Sequence, residues 1–189
     1  MMPWQTVTTQ SFALGESPFW HPTERSLYWV DIGGKQVLRM PVGTGTIESW
    51  DMPSEPGCIA PAASGGLVLA MRHGVFRARN WGGALERIAT LPYDTAGVRA
   101  NDGKCDALGR FWVGTVDEYK AGRLAALFSI DCRAGRSPEV HQHAADALTG
   151  NGLAWSPDHR TAYWADTSSH VVHAWDFDLQ ANTLSAHRL

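Results

Sequence analysis

The chain has 189 residues, 44% of them hydrophobic, and 16 Lys+Arg against 19 Asp+Glu give a formal net charge of −3. That length can bury a sizeable core, as one domain or as part of a larger one. The mild charge and the lack of any Lys/Arg run argue against nucleic acid or an anionic membrane as partner, and no stretch reads as a transmembrane span.

The opening "MMPWQTVTTQ" has no basic region leading into an apolar run, so no signal peptide is expected and the cytoplasm is the expected location. Nine Trp, 19 Gly and 10 Pro suggest many short strands joined by turns. The first candidate unit is "LGESPFWHPTERSLYWVDI" (14–32), a polar lead, an apolar pair, Trp20, a turn at Pro22 and an aromatic strand ending in Asp31. "QVLRMPV" and "TIESW" follow it as third and outer strands. "PGCIAPAASGGLVLAMRHGVFR" (56–77) is a weaker copy turning at Ser64-Gly65-Gly66, continued by "GVFRARN" and "LERIAT". "NDGKCDALGRFWVGTVD" (101–117) keeps the turn, Arg110 and the aromatic pair Phe111-Trp112, with "AALFSID" next. "NGLAWSPDHRTAYWADT" (151–167) matches the first unit at Trp155, Pro157 and Tyr163-Trp164, and "VVHAWDFD" follows.

The second strands of these units begin near Leu27, Leu67, Phe111 and Ala162, in steps of 40, 44 and 51 residues. Several strands per unit at such a period predict an all-β fold, a β-propeller with about four blades in this chain. No 3.6-residue apolar stripe runs over three turns, so helix should be scarce. Residues 1–189 then form a single propeller domain, either a closed four-blade ring or an incomplete one. An incomplete ring leaves blade faces and edges open to self-association or a partner chain. Cys58, Cys105 and Cys132 are scattered without a CxxC and read as small buried residues.

Propellers carry function where the innermost strands converge. That places Glu16, Arg99, Asn101, Asp102 and Asn151 near a channel mouth. Each has a plain alternative: a surface glutamate in a turn for Glu16, turn-forming roles for Asp102 and Asn151. Glu16 and Asn151 occupy equivalent places in two units, and a carboxylate with an amide oxygen suits a hard divalent cation. Arg99 and Asn101 project to one side of an extended chain and suit a polyhydroxylated or carboxylate ligand. His141 and His143 have a metal-like spacing, but in a polar stretch between blades they read as solvent-exposed. No Gly-x-Ser-x-Gly elbow, P-loop or Gly-x-Gly-x-x-Gly occurs, which leaves serine-hydrolase and nucleotide readings without support.

With these segments the chain resembles the SMP-30/gluconolactonase/LRE-like family, the regucalcin-like sugar lactonases, from about residue 12 onward. The resemblance implies a six-bladed propeller with one divalent metal (Ca²⁺, Zn²⁺, Mg²⁺, Mn²⁺ or Fe²⁺) in the channel and hydrolysis of sugar lactones to aldonic acids. It implies Glu16 and Asn151 as metal ligands and Arg99, Asn101 and Glu118 as substrate contacts. A later-blade aspartate, the family's last ligand and favoured general base, falls beyond residue 189; Asp102 is the catalytic candidate within the chain. Ser17 and His159 stand where the family usually has glycine. The competing expectation is a catalytically incomplete propeller fragment, or a metal- or sugar-binding regulatory protein on the same fold.

Overall fold

Apolar alternation broken by Gly, Pro and Asp turns yields sixteen strands in the computed structural model, which describes residues 6–133 and 137–189. They form four antiparallel four-stranded sheets in simple chain order. The first sheet holds β1 (Gly15–His21), β2 (Ser26–Asp31), β3 (Gln36–Pro41) and β4 (Glu48–Asp51). The second holds β5 (Pro56–Pro61), β6 (Leu67–Met71), β7 (Gly74–Ala78) and β8 (Leu85–Ala89). The third holds β9 (Val98–Cys105), β10 (Phe111–Asp117), β11 (Ala125–Asp131) and β12 (Glu139–Ala147). The fourth holds β13 (Gly150–Trp155), β14 (Thr161–Asp166), β15 (Val171–Asp178) and β16 (Thr183–Arg188). Among the described residues the only helical segment is a 3-10 turn at Thr167–Ser169. No helix of the described residues is long and apolar enough to cross a membrane.

Each sheet is a blade of a β-propeller. The first strands β1, β5, β9 and β13 pack against one another in order and form the inner wall. The four blades do not close into a ring.

The two-residue period of a strand sends neighbouring side chains into different cores. Leu67, Leu69 and Met71 of β6 pack on Tyr28, Val30 and Val37 of the first blade. The interleaved Val68 and Ala70 pack on Phe111, Val113 and Phe128 of the third. Trp112, between Phe111 and Val113, turns to the fourth blade and meets Leu153, Trp164, Trp175 and Phe177. The middle blades are therefore covered on both faces, and β10 and β11 are buried at every position. The fourth blade is covered on one face only, so β14 alternates, with Trp164 buried and Tyr163 39% exposed. Burying each large side chain contributes about 1.5–3 kcal/mol, which concentrates stability in the three inter-blade cores.

One expectation needs correction. The stretch with His141 and His143 is not a linker but β12, the outer strand of the third blade. His141 remains exposed, whereas His143 is half-buried and stacks on Trp112 with ring centroids 4.2 Å apart. Its Nε2 lies 2.8 Å from the Ser129 hydroxyl, and burial, with His141 and Arg110 adding to it, pushes its pKa down to about 4.

Candidate functional site

Asp31, Asp117 and Asp166 end the second strands of blades one, three and four. Asp31 accepts the N–H groups of Ala13, Leu14 and Gly34, and Asp166 accepts those of Leu148 and Thr149. Burial alone would raise the Asp31 carboxyl, but the amides of Gly34, Leu14 and Ala13 outweigh it and hold it below the usual range. Asp31 and Asp166 thus anchor the segments that lead into their own blades' first strands, whereas Asp117 accepts the N–H groups of Tyr119, Lys120 and Gly122 in the turn that follows it. This fixes where β1 and β13 begin.

The inner strands then share a second device. On β1, Glu16 pairs with Val30 and Phe19 with Tyr28, so Ser17 and Pro18 stand opposite Trp29 alone. On β13, Asn151 pairs with Ala165 and Ala154 with Tyr163, with Gly152 and Leu153 as the extra residues. On β9, Ala100 pairs with Thr115 and Gly103 with Val113, which puts Asn101 and Asp102 inside the bulge. A bulge bends its strand and re-aims the side chains around it. Glu16 and Asn151 hold the same register position, each just before a bulge whose next residue has positive φ, 51° at Ser17 and 57° at Gly152. Asn101 and Asp102 lie one and two places further along. The Ser17 hydroxyl accepts the Ile59 N–H at 3.2 Å and ties β1 to β5.

Glu16, Asp102 and Asn151 line one cavity of about 570 Å³ between the inner strands, with Ser17, Ile59, Lys104 and Leu153. Glu16 is half-buried and makes no side-chain hydrogen bond or ion pair among the described residues. Asn151 Oδ1 accepts only the Gly152 N–H, at 3.1 Å, and Asp102 Oδ2 only the Leu153 N–H, at 3.3 Å. These carboxylate and amide oxygens are hard donors, the chemistry a divalent ion such as Ca²⁺ or Mg²⁺ takes. No group of three or more His, Cys, Asp or Glu gathers around a metal position among the described residues, so the set that fits is a partial one.

Arg99, Asn101 and Glu118 do not line this cavity; they form a network beside it. Asn101 Nδ2 donates to the Gly150 carbonyl at 2.9 Å, immediately before Asn151. Its Oδ1 accepts from Arg99 Nη1 at 3.0 Å. Arg99 Nε lies 3.4 Å from Glu118 Oε1. Glu118 is held by two hydrogen bonds from Arg72, of 2.7 and 3.0 Å, and the Arg72 guanidinium beside it keeps its carboxyl below the usual range. Arg72 also donates to Glu55 at 2.9 Å, and Lys35 lies 3.7 Å from Glu55. Sequence reasoning missed Arg72 and Glu55. The available signal is a break in the repeat: Arg72, just after the second strand of the second blade, stands where the others have an aspartate.

A model of the SMP-30/Gluconolactonase/LRE-like region matches residues 14–189. The chain is 34% identical over 172 residues to 6-deoxy-6-sulfogluconolactonase of Pseudomonas putida, covering 91% of this chain and 58% of that protein. It is also 34% identical over 193 residues to regucalcin of Xenopus laevis, covering 97% and 62%. Among solved structures, regucalcin of Agrobacterium tumefaciens, described as a calcium-binding protein, superposes with a TM-score of 0.88 at 21% identity, covering 97% of this chain and 61% of that one. That likeness shows the fold. The chain spans about three-fifths of the length of these curated relatives. The match over residues 14–189 establishes that the chain belongs to the SMP-30/gluconolactonase/LRE-like family.

Proposed function

We propose that this chain carries the larger part of a divalent-metal-dependent sugar lactonase site, opening aldonolactones to aldonic acids. The observation that carries the reading is the convergence of Glu16, Asp102 and Asn151, from three blades, on one cavity where Glu16 has no protein partner. The name of one relative, 6-deoxy-6-sulfogluconolactonase, supports the substrate class.

In this reading residues 1–189 are one portion of a propeller domain, and further blades complete the ring and the site. Glu16 and Asn151 hold the cation. When bound, the cation supplies Lewis-acid stabilisation of charge developing on the lactone carbonyl. Asp102 has one carboxylate oxygen unpartnered among the described residues, placed to accept a proton from an attacking water. Asn101 is clamped at both ends of its amide and orients rather than reacts. Arg99 donates to sugar oxygens and positions the ring. A cytoplasmic location belongs to the same proposal.

The test is hydrolysis of a panel of γ- and δ-aldonolactones, followed by pH-stat with chelator and with added Ca²⁺, Mg²⁺, Mn²⁺ or Zn²⁺. Glu16→Gln and Asn151→Ala should each lower metal-dependent turnover on the order of 100-fold or more. Wild-type rates in either variant would remove the assigned site. Cation binding by the wild type with no hydrolysis of any lactone would replace the enzyme with a metal-binding protein.

A further inference from the structure

We propose that Arg72 is a positioning residue of the site: its forked grip on Glu118 sets the orientation of Arg99 and leaves one arm of Arg99 free for a ligand. The inference rests on the site proposed above but assigns a residue outside its cavity.

Arg72 lies just after β6, and its guanidinium is engaged on both edges. Nη1 and Nη2 reach the two oxygens of Glu118 at 2.7 and 3.0 Å, across 46 residues and from the second blade to the third. Nε donates to Glu55 at 2.9 Å, and Nη1 also donates to the Thr95 carbonyl at 2.9 Å. A planar fork held at this many points fixes the carboxylate plane of Glu118, which a lysine ammonium cannot do.

Glu118 then faces Arg99 through Oε1, 3.4 Å from Nε. Arg99 Nη1 donates to the Ala100 carbonyl and to Asn101 Oδ1, each at 3.0 Å. Among the described residues Nη2 has no hydrogen-bond partner, although the Arg99 side chain is only 13% exposed. A brace between blades two and three would be complete with Arg72 and Glu118 alone. The third member is a largely buried cation fixed through Nε and Nη1, whose Nη2 is not among the buried unpartnered atoms and so faces solvent, where an incoming acceptor can replace water. From Arg99 the contacts continue through Asn101 to Gly150, next to the candidate ligand Asn151. An acceptor-rich ligand, a sugar hydroxyl, ring carbonyl or product carboxylate, matches that free edge.

The experiment reads the guanidinium N–H exchange of Arg99 by ¹⁵N NMR in the 189-residue chain, in wild type, Arg72→Met and Arg72→Lys. Lactone kinetics on glucono-δ-lactone run in parallel. Loss of the fork should speed Arg99 Nε–H exchange about tenfold in both variants and raise KM about tenfold, with kcat within about twofold. Lysine should recover thermal stability relative to methionine without recovering the slow exchange. If the methionine variant does not fold, the lysine variant decides alone. Unchanged Arg99 exchange with a lowered Tm would make Arg72 a brace between blades and overturn the proposal. The exchange measurement needs no turnover. A 189-residue wild type without turnover is what a site completed by further blades allows, so the lactonase reading is tested separately by the lactone panel, while the Arg99 resonances still decide the role of Arg72.

Discussion

Two groups of carboxylates sit close together around the inner strands, in opposite states. Beside the cavity, Glu55 and Glu118 are saturated by Arg72, Lys35 and Arg99, and the hydrogen bond from Arg72 brings the Glu55 carboxyl down to about 2. At the cavity wall, Glu16 has no partner among the described residues and Asp102 has one backbone N–H. Side chains of the same type on the same scaffold thus do two kinds of work. The saturated ones fix geometry, between blades and around Arg99, and the open ones keep lone pairs available. The difference predicts that stability and cation binding are carried by separable residues.

The strongest test of that separation uses the most saturated carboxylate. Asp106 is buried and accepts from the Leu108 and Arg110 N–H groups, from Arg110 Nε at 2.6 Å and from Trp112 Nε1 at 3.0 Å. Asp106→Ala leaves a buried guanidinium unpaired and should cost about 3–5 kcal/mol in urea unfolding. Glu16→Gln should change stability by about 0.5 kcal/mol or less. Comparable losses in the two variants would break the comparison.

Next come the strand-end aspartates. Asp31→Ala or Asp166→Ala strands two or more backbone N–H groups and should cost about 1–3 kcal/mol each, measured the same way. These residues also show what the sequence made legible. The aromatic strands that close in Asp31, Asp117 and Asp166, and the Ser64-Gly65-Gly66 turn of the second unit, place every second strand within a residue of its start. Glu16 and Asn151 stand out in the sequence because they hold equivalent positions in two copies. Other features leave no periodic trace. A bulge is an extra residue that sequence alternation cannot locate, so the one- and two-place offset of Asn101 and Asp102 was not visible. The pairing of Glu118 with Arg72 joins residues 46 apart through tertiary geometry alone. Polar composition hid the burial of His143, which arises because Trp112 turns outward from β10 toward the fourth blade.

His143 sharpens the comparison through pH. Burial lowers its pKa to about 4 in the folded chain, with His141 and Arg110 adding to it, against an ordinary value near 6.5. The unfolded chain therefore binds the proton more readily between those values. The contribution of neutral His143 is complete above about pH 6.5 and is lost as pH falls toward 4. Urea melts of wild type and His143→Gln should differ by on the order of 1–2 kcal/mol less at pH 4 than at pH 7, after allowance for solvent screening. Asp31 and Asp166, with lowered carboxyl values, lose their contribution only at more acid pH. A difference that stays flat from pH 7 to pH 4 would mean the ring is solvated.

The smallest expected effects separate two non-glycine positions that share a left-handed backbone. Ser17 and His159 both have left-handed φ, 51° and 57°. A non-glycine residue there costs roughly 1–2 kcal/mol of steric strain, and glycine returns part of that gain as extra freedom of the unfolded chain, about 0.4–1 kcal/mol. At His159, exposed in the turn after Ser156, the backbone N–H bonds the Ser156 carbonyl whatever the side chain, and the imidazole makes no hydrogen bond among the described residues. His159→Gly should therefore stabilise by about 0.5–1 kcal/mol. At Ser17 the same relief is offset by loss of the hydroxyl that accepts from Ile59, a bond of about 0.5–1.5 kcal/mol, so Ser17→Gly should come out near neutral. Ser17→Ala keeps the strain and loses the bond, and it should be the least stable of the three. If Ser17→Gly instead stabilises as much as His159→Gly, the hydroxyl contributes nothing to joining the first two blades, and the register of Glu16 rests on Asp31 alone.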